Sequence, residues 1–126
     1  MNVVDSSGWI EALAEGSNAA VFKPLVADAG SLIVPAITIY EVFKFVARNK
    51  GDPAARLVAQ AMQLGRVVDV DAFLAITAAQ ISRDYGLAMA DSLIYATAQT
   101  HSATLWTQDD DFEHISGVRY FAKAKR

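Results

Sequence analysis

The sequence contains no cysteine, only three prolines and only two histidines in 126 residues. Without thiols there is no disulfide framework and no thiolate metal site, which agrees with a reducing compartment. The N-terminus, MNVVDSSGWIEAL, lacks the basic start and the small-residue cleavage signal of a secretory leader. The uncharged run from Ala29 to Tyr40 is too short to span a bilayer. An excess of positive charge is missing as well, because 11 Lys and Arg against 14 Asp and Glu give a net charge of -3. That balance argues against broad electrostatic adhesion to nucleic acid or to an anionic membrane, although a local basic strip remains compatible with it. The expectation is a cytoplasmic protein forming one domain over residues 1–126, with no membrane partner.

What is present is a globular composition, 53% hydrophobic and 20% charged, which leaves no room for a long disordered tract. About two-thirds of the unfolded chain's surface is expected to be buried at this length. Apolar runs and helix-periodic segments alternate along the chain. NVV, LIV, RVVDV and ATLWT read as strands, and VRYF as a fifth. Between them lie SSGWIEALAEG, SNAAVFKPLVAD with Pro24 as an interruption, and PAITIYEVFKFVARNK closed by Gly51. DPAARLVAQAMQLG follows with Asp52 as N-cap, Pro53 in the first turn and its end at Gly65, then AFLAITAAQISRDY between Asp71 and Gly86, then MADSLIYATAQTHS. Strands that are apolar throughout, separated by helices, predict an α/β domain whose central parallel sheet is covered on both faces.

Open parallel sheets bind ligands beyond the carboxyl ends of their strands. Asp5 ends the first strand, Glu41 lies in the helix after the second, Asp91 opens a late helix, and Asp109 follows the fourth strand. Each has a simpler explanation. Asp5 suits an N-cap, Thr38 and Glu41 read as a capping box, Asp91 favours a helix N-terminus, and Asp109, Asp110 and Asp111 suit a surface turn. What these explanations leave out is the shared direction of the four segments. Carboxylates gathered at one edge suit a hard cation with oxygen ligands, Mg²⁺ or Mn²⁺.

The stretches VVDSSGWIEAL, LIVPAITIYEVFK and MADSLIYATAQTHSATLWTQDDDF resemble, in order and spacing, the acidic motifs of PIN-domain ribonucleases, most closely the VapC-type toxins of toxin–antitoxin pairs. The resemblance spans nearly the whole chain. It implies a compact α/β fold with a central parallel sheet and a metal-binding quartet of Asp5, Glu41, Asp91 and Asp109. Asp111 would be a helper or substitute for Asp109, and Asp110 would be solvated. Ser6 and Thr107 stand where the family places hydroxyl residues that steady the site. The implied activity is Mg²⁺- or Mn²⁺-dependent endonucleolytic cleavage of RNA, with transfer or ribosomal RNA as common targets. A cognate antitoxin protein and a homodimer are the implied partners.

An acidic pocket repels phosphate, so RNA binding needs cations nearby. Lys44 and Arg48 lie three and seven residues beyond Glu41, on the same helical side, and are the candidates for phosphate contacts. A surface pair between Glu41 and Lys44 is the competing explanation. Lys50, Lys123, Lys125 and Arg126 are weaker candidates. His101 and His114 read as surface or helix-end residues, and Ser6 and Ser7 have no histidine nearby to activate a serine nucleophile. Tyr40, Phe43 and Phe45 read more readily as core than as interface. The rival readings are a catalytically silent protein-binding module and a Mg²⁺-dependent phosphoacceptor receiver domain. The receiver expects paired acids after the first strand and a lysine after the last, whereas VVDSS has one acid and LWTQDDD has no lysine.

Overall fold

The structure is a computed structural model that describes residues 1–124. Five strands and six helices follow the predicted alternation: β1 (Asn2–Val4), α1 (Ser6–Ala14), α2 (Ala19–Ala27), β2 (Ile33–Pro35), α3 (Ala36–Lys50), α4 (Asp52–Met62), β3 (Arg66–Val68), α5 (Ala72–Tyr85), α6 (Met89–Thr100), β4 (Thr104–Thr107) and β5 (Val118–Tyr120). Short 3₁₀ turns cover Ala29–Ser31 and Asp110–Phe112. All strand pairs are parallel. β1, β4 and β5 form one ladder and β2 and β3 another. A single bridge between Asn2 and Leu32 joins them in the spatial order β3-β2-β1-β4-β5.

The strands are short; β1, β2 and β4 carry the buried residues while the edge strands β3 and β5 are more open, and successive residues of the inner strands divide between two cores. Val3, Ile33 and Leu105 pack on one side with Ile94, Tyr95 and Phe112. Val4 and Val34 pack on the other with Trp9, Phe22, Val42, Val46 and Met62. This is the period of two expected of a strand covered on both sides. Gly8 lets α1 lie close to the sheet, because a Cβ there would stand 2.6 Å from Val4 Cγ1 and 2.8 Å from the Phe22 ring. Gly86, at φ 71°, caps α5 in the left-handed conformation that glycine adopts without strain.

Several local expectations are corrected. The capping box of Thr38 and Glu41 does not form, because β2 runs directly into α3 through Pro35 and Thr38 already lies inside the first turn. Its hydroxyl is buried without a partner, and Glu41 is engaged elsewhere. Asp52 is the first helical residue of α4, with Gly51 in the cap position at φ 87°. Pro24 is carried within α2. The carbonyl its missing amide would have engaged belongs to Ala20, an exposed residue that water can serve. Tyr40 and Phe45 are not core: they are 61% and 38% exposed, while Phe43 packs at the edge of the cluster around Val42. Among the described residues, no helix is long and apolar enough to cross a membrane.

Candidate metal centre

The parallel register brings the C-terminal ends of β1 and β4 side by side, with Val4 opposite Trp106. The amide of Asp5 continues the ladder by donating to the Trp106 carbonyl at 3.2 Å. Asp5 is then the N-cap of α1, as its simpler reading held, and its Oδ1 accepts from the Gly8 amide at 3.0 Å and from Ser7 Oγ at 2.7 Å. Its Oδ2 accepts from Thr107 Oγ1 at 2.7 Å. Capping and facing the sheet edge are thus done by one carboxylate. Only 3% of Asp5 is exposed. Burial pushes its carboxyl up to about 6 against these hydrogen bonds, and the charge of Asp109 adds to the rise.

Thr107, the last residue of β4, is fully buried and works in two directions. It donates to Asp5 and accepts from the Asp109 amide at 2.9 Å. That bond turns the chain after β4, and Asp109 Oδ1 then accepts from the Asp111 amide at 2.9 Å, capping the 3₁₀ turn. The surface-turn reading of the three aspartates is therefore correct as local geometry. Its consequence is that Asp109 and Asp111 face Asp91, the third residue of α6, while Asp110 is exposed. Carboxylate oxygens of Asp91, Asp109 and Asp111 all lie within 4.8 Å of one another.

Asp5 and Glu41 stand outside this triad, but their charges reach it. The Asp91 carboxyl is raised to about 7 by burial first and then by Asp109, Asp5, Asp111 and Glu41. Ser6, the first residue of α1, donates to Glu41 Oε1 at 2.5 Å and ties α3 to the end of β1. The Glu41–Lys44 surface pair is absent among the described residues. Lys44 is instead exposed, with its ammonium 5.9 Å from the centre of the Tyr40 ring, and Arg48 is exposed in the last turn of α3. His101 ends α6, its Nδ1 2.9 Å from the Thr97 carbonyl, and His114 is exposed beside Glu113. Lys125 and Arg126 lie outside the described residues.

Sequence reasoning missed Ser7 and Gln108 as parts of this edge. Ser7, which has no histidine to make it a nucleophile, donates to Asp5 and accepts from the Gln108 amide at 3.3 Å. The serine pair after Asp5 was the available signal, since two short hydroxyl residues after a buried acid can both serve as donors. For Gln108, whose carboxamide is held by Asn18 on the far side of the chain, no local pattern exists.

The C-terminal edge of the parallel sheet thus gathers Asp91, Asp109 and Asp111, with Asp5 and Glu41 near enough for their charges to act on Asp91, and such an all-carboxylate donor set has the chemistry of a hard-cation site. The PIN-domain family model matches residues 3–118, and the chain belongs to this family. Its fold is similar to that of a toxin–antitoxin complex from Klebsiella pneumoniae, with a TM-score of 0.80 and 24% identity over 98% of this chain and 100% of that one. FitAcB from Neisseria gonorrhoeae is similar with a TM-score of 0.73 and 26% identity over 96% of each chain. VapC20 of Mycobacterium tuberculosis, a sarcin–ricin-loop-cleaving toxin, is similar at 0.73 and 20% identity over 92% of this chain and 95% of that one. No curated protein matches the chain in sequence.

Proposed function

We propose that this PIN domain is a divalent-metal-dependent endoribonuclease and the toxin of a type II toxin–antitoxin pair. The observation that carries the reading is the triad of Asp91, Asp109 and Asp111 with Asp5 and Glu41 around it. The donor set is entirely carboxylate oxygen, which suits Mg²⁺ or Mn²⁺. Oxygens on opposite sides of one such ion stand about 4.2 Å apart, given metal–oxygen distances of about 2.1 Å. A spread of up to 4.8 Å therefore closes onto an ion with small rotamer changes. Asp91, Asp109 and Asp111 would hold the ion directly, with Asp5 and Glu41 completing the negative wall.

When bound, the ion supplies Lewis acidity to the attacking water and to the scissile phosphate. The chain's own residues set the geometry. Thr107 locks Asp5 and the Asp109 backbone into one unit, and Ser6 fixes Glu41, so the wall does not collapse when its charges are unpaired. Lys44 and Arg48, exposed along α3, would take flanking phosphates of an RNA such as transfer or ribosomal RNA. A cognate antitoxin as partner is supported by relatives solved as toxin–antitoxin assemblies. A homodimer is supported by the exposed apolar face of α5, where Phe73 and Ile76 lie one turn apart and are 67% and 63% exposed.

The test is cleavage of total cellular RNA by the purified protein in Mg²⁺, Mn²⁺ or EDTA, beside Asp5→Asn and Asp91→Asn. Cleavage by wild type that requires metal and is lost in both variants supports the reading. Metal-independent cleavage, or equal cleavage by the variants, overturns it.

A further inference from the structure

Beside Asp109 lies a cavity of about 320 Å³ lined by Gln108, Asp109, Asp110, Tyr120, Ala122 and Lys123. A second cavity of about 340 Å³ shares Gln108 and Lys123 and continues past Glu11 and Ser17. Together they make a groove that leaves the acidic centre at Asp109. We propose that this groove is a nucleotide subsite for single-stranded RNA, holding the residue next to the scissile phosphate. The proposal rests on the ribonuclease reading above.

The chemistry of the walls carries the inference. Gln108 is 7% exposed, and its side-chain oxygen accepts from Asn18 Nδ2 at 3.0 Å. The same Asn18 amide donates to the Ala122 carbonyl at 3.0 Å, so one side chain braces both walls. The Gln108 side-chain oxygen accepts this one bond from Asn18, whereas its NH₂ group has no protein acceptor among the described residues and is the unpartnered donor of this wall. A donor fixed in this way matches a base carbonyl or ring nitrogen. Tyr120 is aligned with Thr107 in the β4–β5 register, and the Phe121 amide donates to the Thr107 carbonyl at 2.9 Å beyond it. The phenol ring is thereby placed against the turn that carries Asp109, as a surface on which an unstacked base can lie.

Lys123 supplies the charge. It is exposed and makes no ion pair among the described residues, although Asp109 and Asp110 line the same cavity. A phosphate entering beside these acids gains a cation that no carboxylate has taken. Size points to one nucleotide at a time, because ligand sites span about 300–1,000 Å³ and this cavity lies at the lower limit. A duplex, with its bases stacked inward, would leave Tyr120 nothing to contact.

The experiment measures binding in an Asp91→Asn background, so that cleavage does not consume the probe. A fluorescein-labelled single-stranded oligoribonucleotide of mixed sequence is titrated in Mg²⁺ and followed by anisotropy, with the same strand annealed into a duplex in parallel. Adding Tyr120→Ala is expected to weaken single-strand binding by about 5- to 100-fold, while Tyr120→Phe stays close to its parent. Adding Lys123→Ala is expected to weaken binding several-fold and to reduce its salt dependence by about one counterion. Lys123 is exposed, so its replacement reports on the groove even if Tyr120→Ala unfolds. Unchanged binding in both Lys123→Ala and a folded Tyr120→Ala overturns the subsite, as does an equal loss for duplex. Wild-type cleavage of total RNA is scored separately. An active wild type with indifferent groove variants refutes the subsite alone, and groove-dependent binding without wild-type cleavage refutes the ribonuclease reading alone.

Discussion

Replacing Asp91 by Asn is expected to stabilise the metal-free fold while abolishing its response to metal. Folding places the Asp91 carboxyl in a half-buried position facing Asp109, Asp5, Asp111 and Glu41, and raises it from 3.8 to about 7. Protonated Asp91 is therefore favoured in the native state. Its contribution to stability is fully present below about pH 4 and is lost as pH rises through about 7. At full strength that difference is about 4 kcal/mol, and solvent screening of a half-exposed group reduces it to about 2 kcal/mol. Asparagine resembles the protonated acid and never ionises. Its advantage over wild type should be negligible near pH 4, grow between pH 4 and 7, and level off above about 7. For a chain of this length about 2 kcal/mol corresponds to a Tm increase of about 6–10 °C. Thermal melts of both proteins across this pH range in EDTA, then at pH 8 with added Mg²⁺, separate the two effects. Wild type should gain stability from Mg²⁺ by mass action, and the variant should gain little. If Asp91→Asn melts at or below the wild-type temperature at pH 8, or responds equally to Mg²⁺, the reasoning about crowded carboxylates is wrong.

Four further outcomes follow from the same geometry. Thr107→Val removes a donor to Asp5 and the acceptor of the Asp109 amide, and should cost about 2–3 kcal/mol in urea unfolding; a loss below about 0.5 kcal/mol would contradict that role. Ser6→Ala frees Glu41 and should lower RNA cleavage about 10- to 100-fold with little change in Tm, a split that a purely structural serine would not produce. Replacing Lys44 and Arg48 together by Ala should reduce the slope of log binding constant against log salt by about 1.4, for two lost phosphate contacts to a single strand; an unchanged slope removes them from the RNA path. Phe73→Asp should convert a dimer to a monomer in sedimentation equilibrium, and a dimer that persists would move the interface off α5.

Features of this chain that are set by neighbouring residues are legible in its sequence. Asp71 accepts from the Leu74 amide at 2.8 Å, as an aspartate before an apolar helix suggests. Gly86 ends α5, and Val3 and Val4 divide between two cores as strand residues must. Where local signals competed, the tertiary frame chose. Thr38 and Glu41 fit a capping box in sequence, but a helix continuing straight out of β2 gives Thr38 no cap position and leaves Glu41 to Ser6, 35 residues away. Tyr40 and Phe45 are apolar, yet burial depends on which face of α3 meets the sheet, and these two fall outside it.

From its sequence alone, this protein had determined the alternation of strands and helices and the positions of Asp5, Glu41, Asp91 and Asp109 near the ends or beginnings of elements. Only the tertiary structure decided that carboxylate oxygens of Asp111, Asp109 and Asp91 come within 4.8 Å of one another, and that Asn18 braces Gln108 across 90 residues. The reason is physical. Periodicity and capping are set by neighbouring backbone atoms, whereas contact between distant carboxylates is set by strand register, and the pairing of Val4 with Trp106 is a property of no single segment.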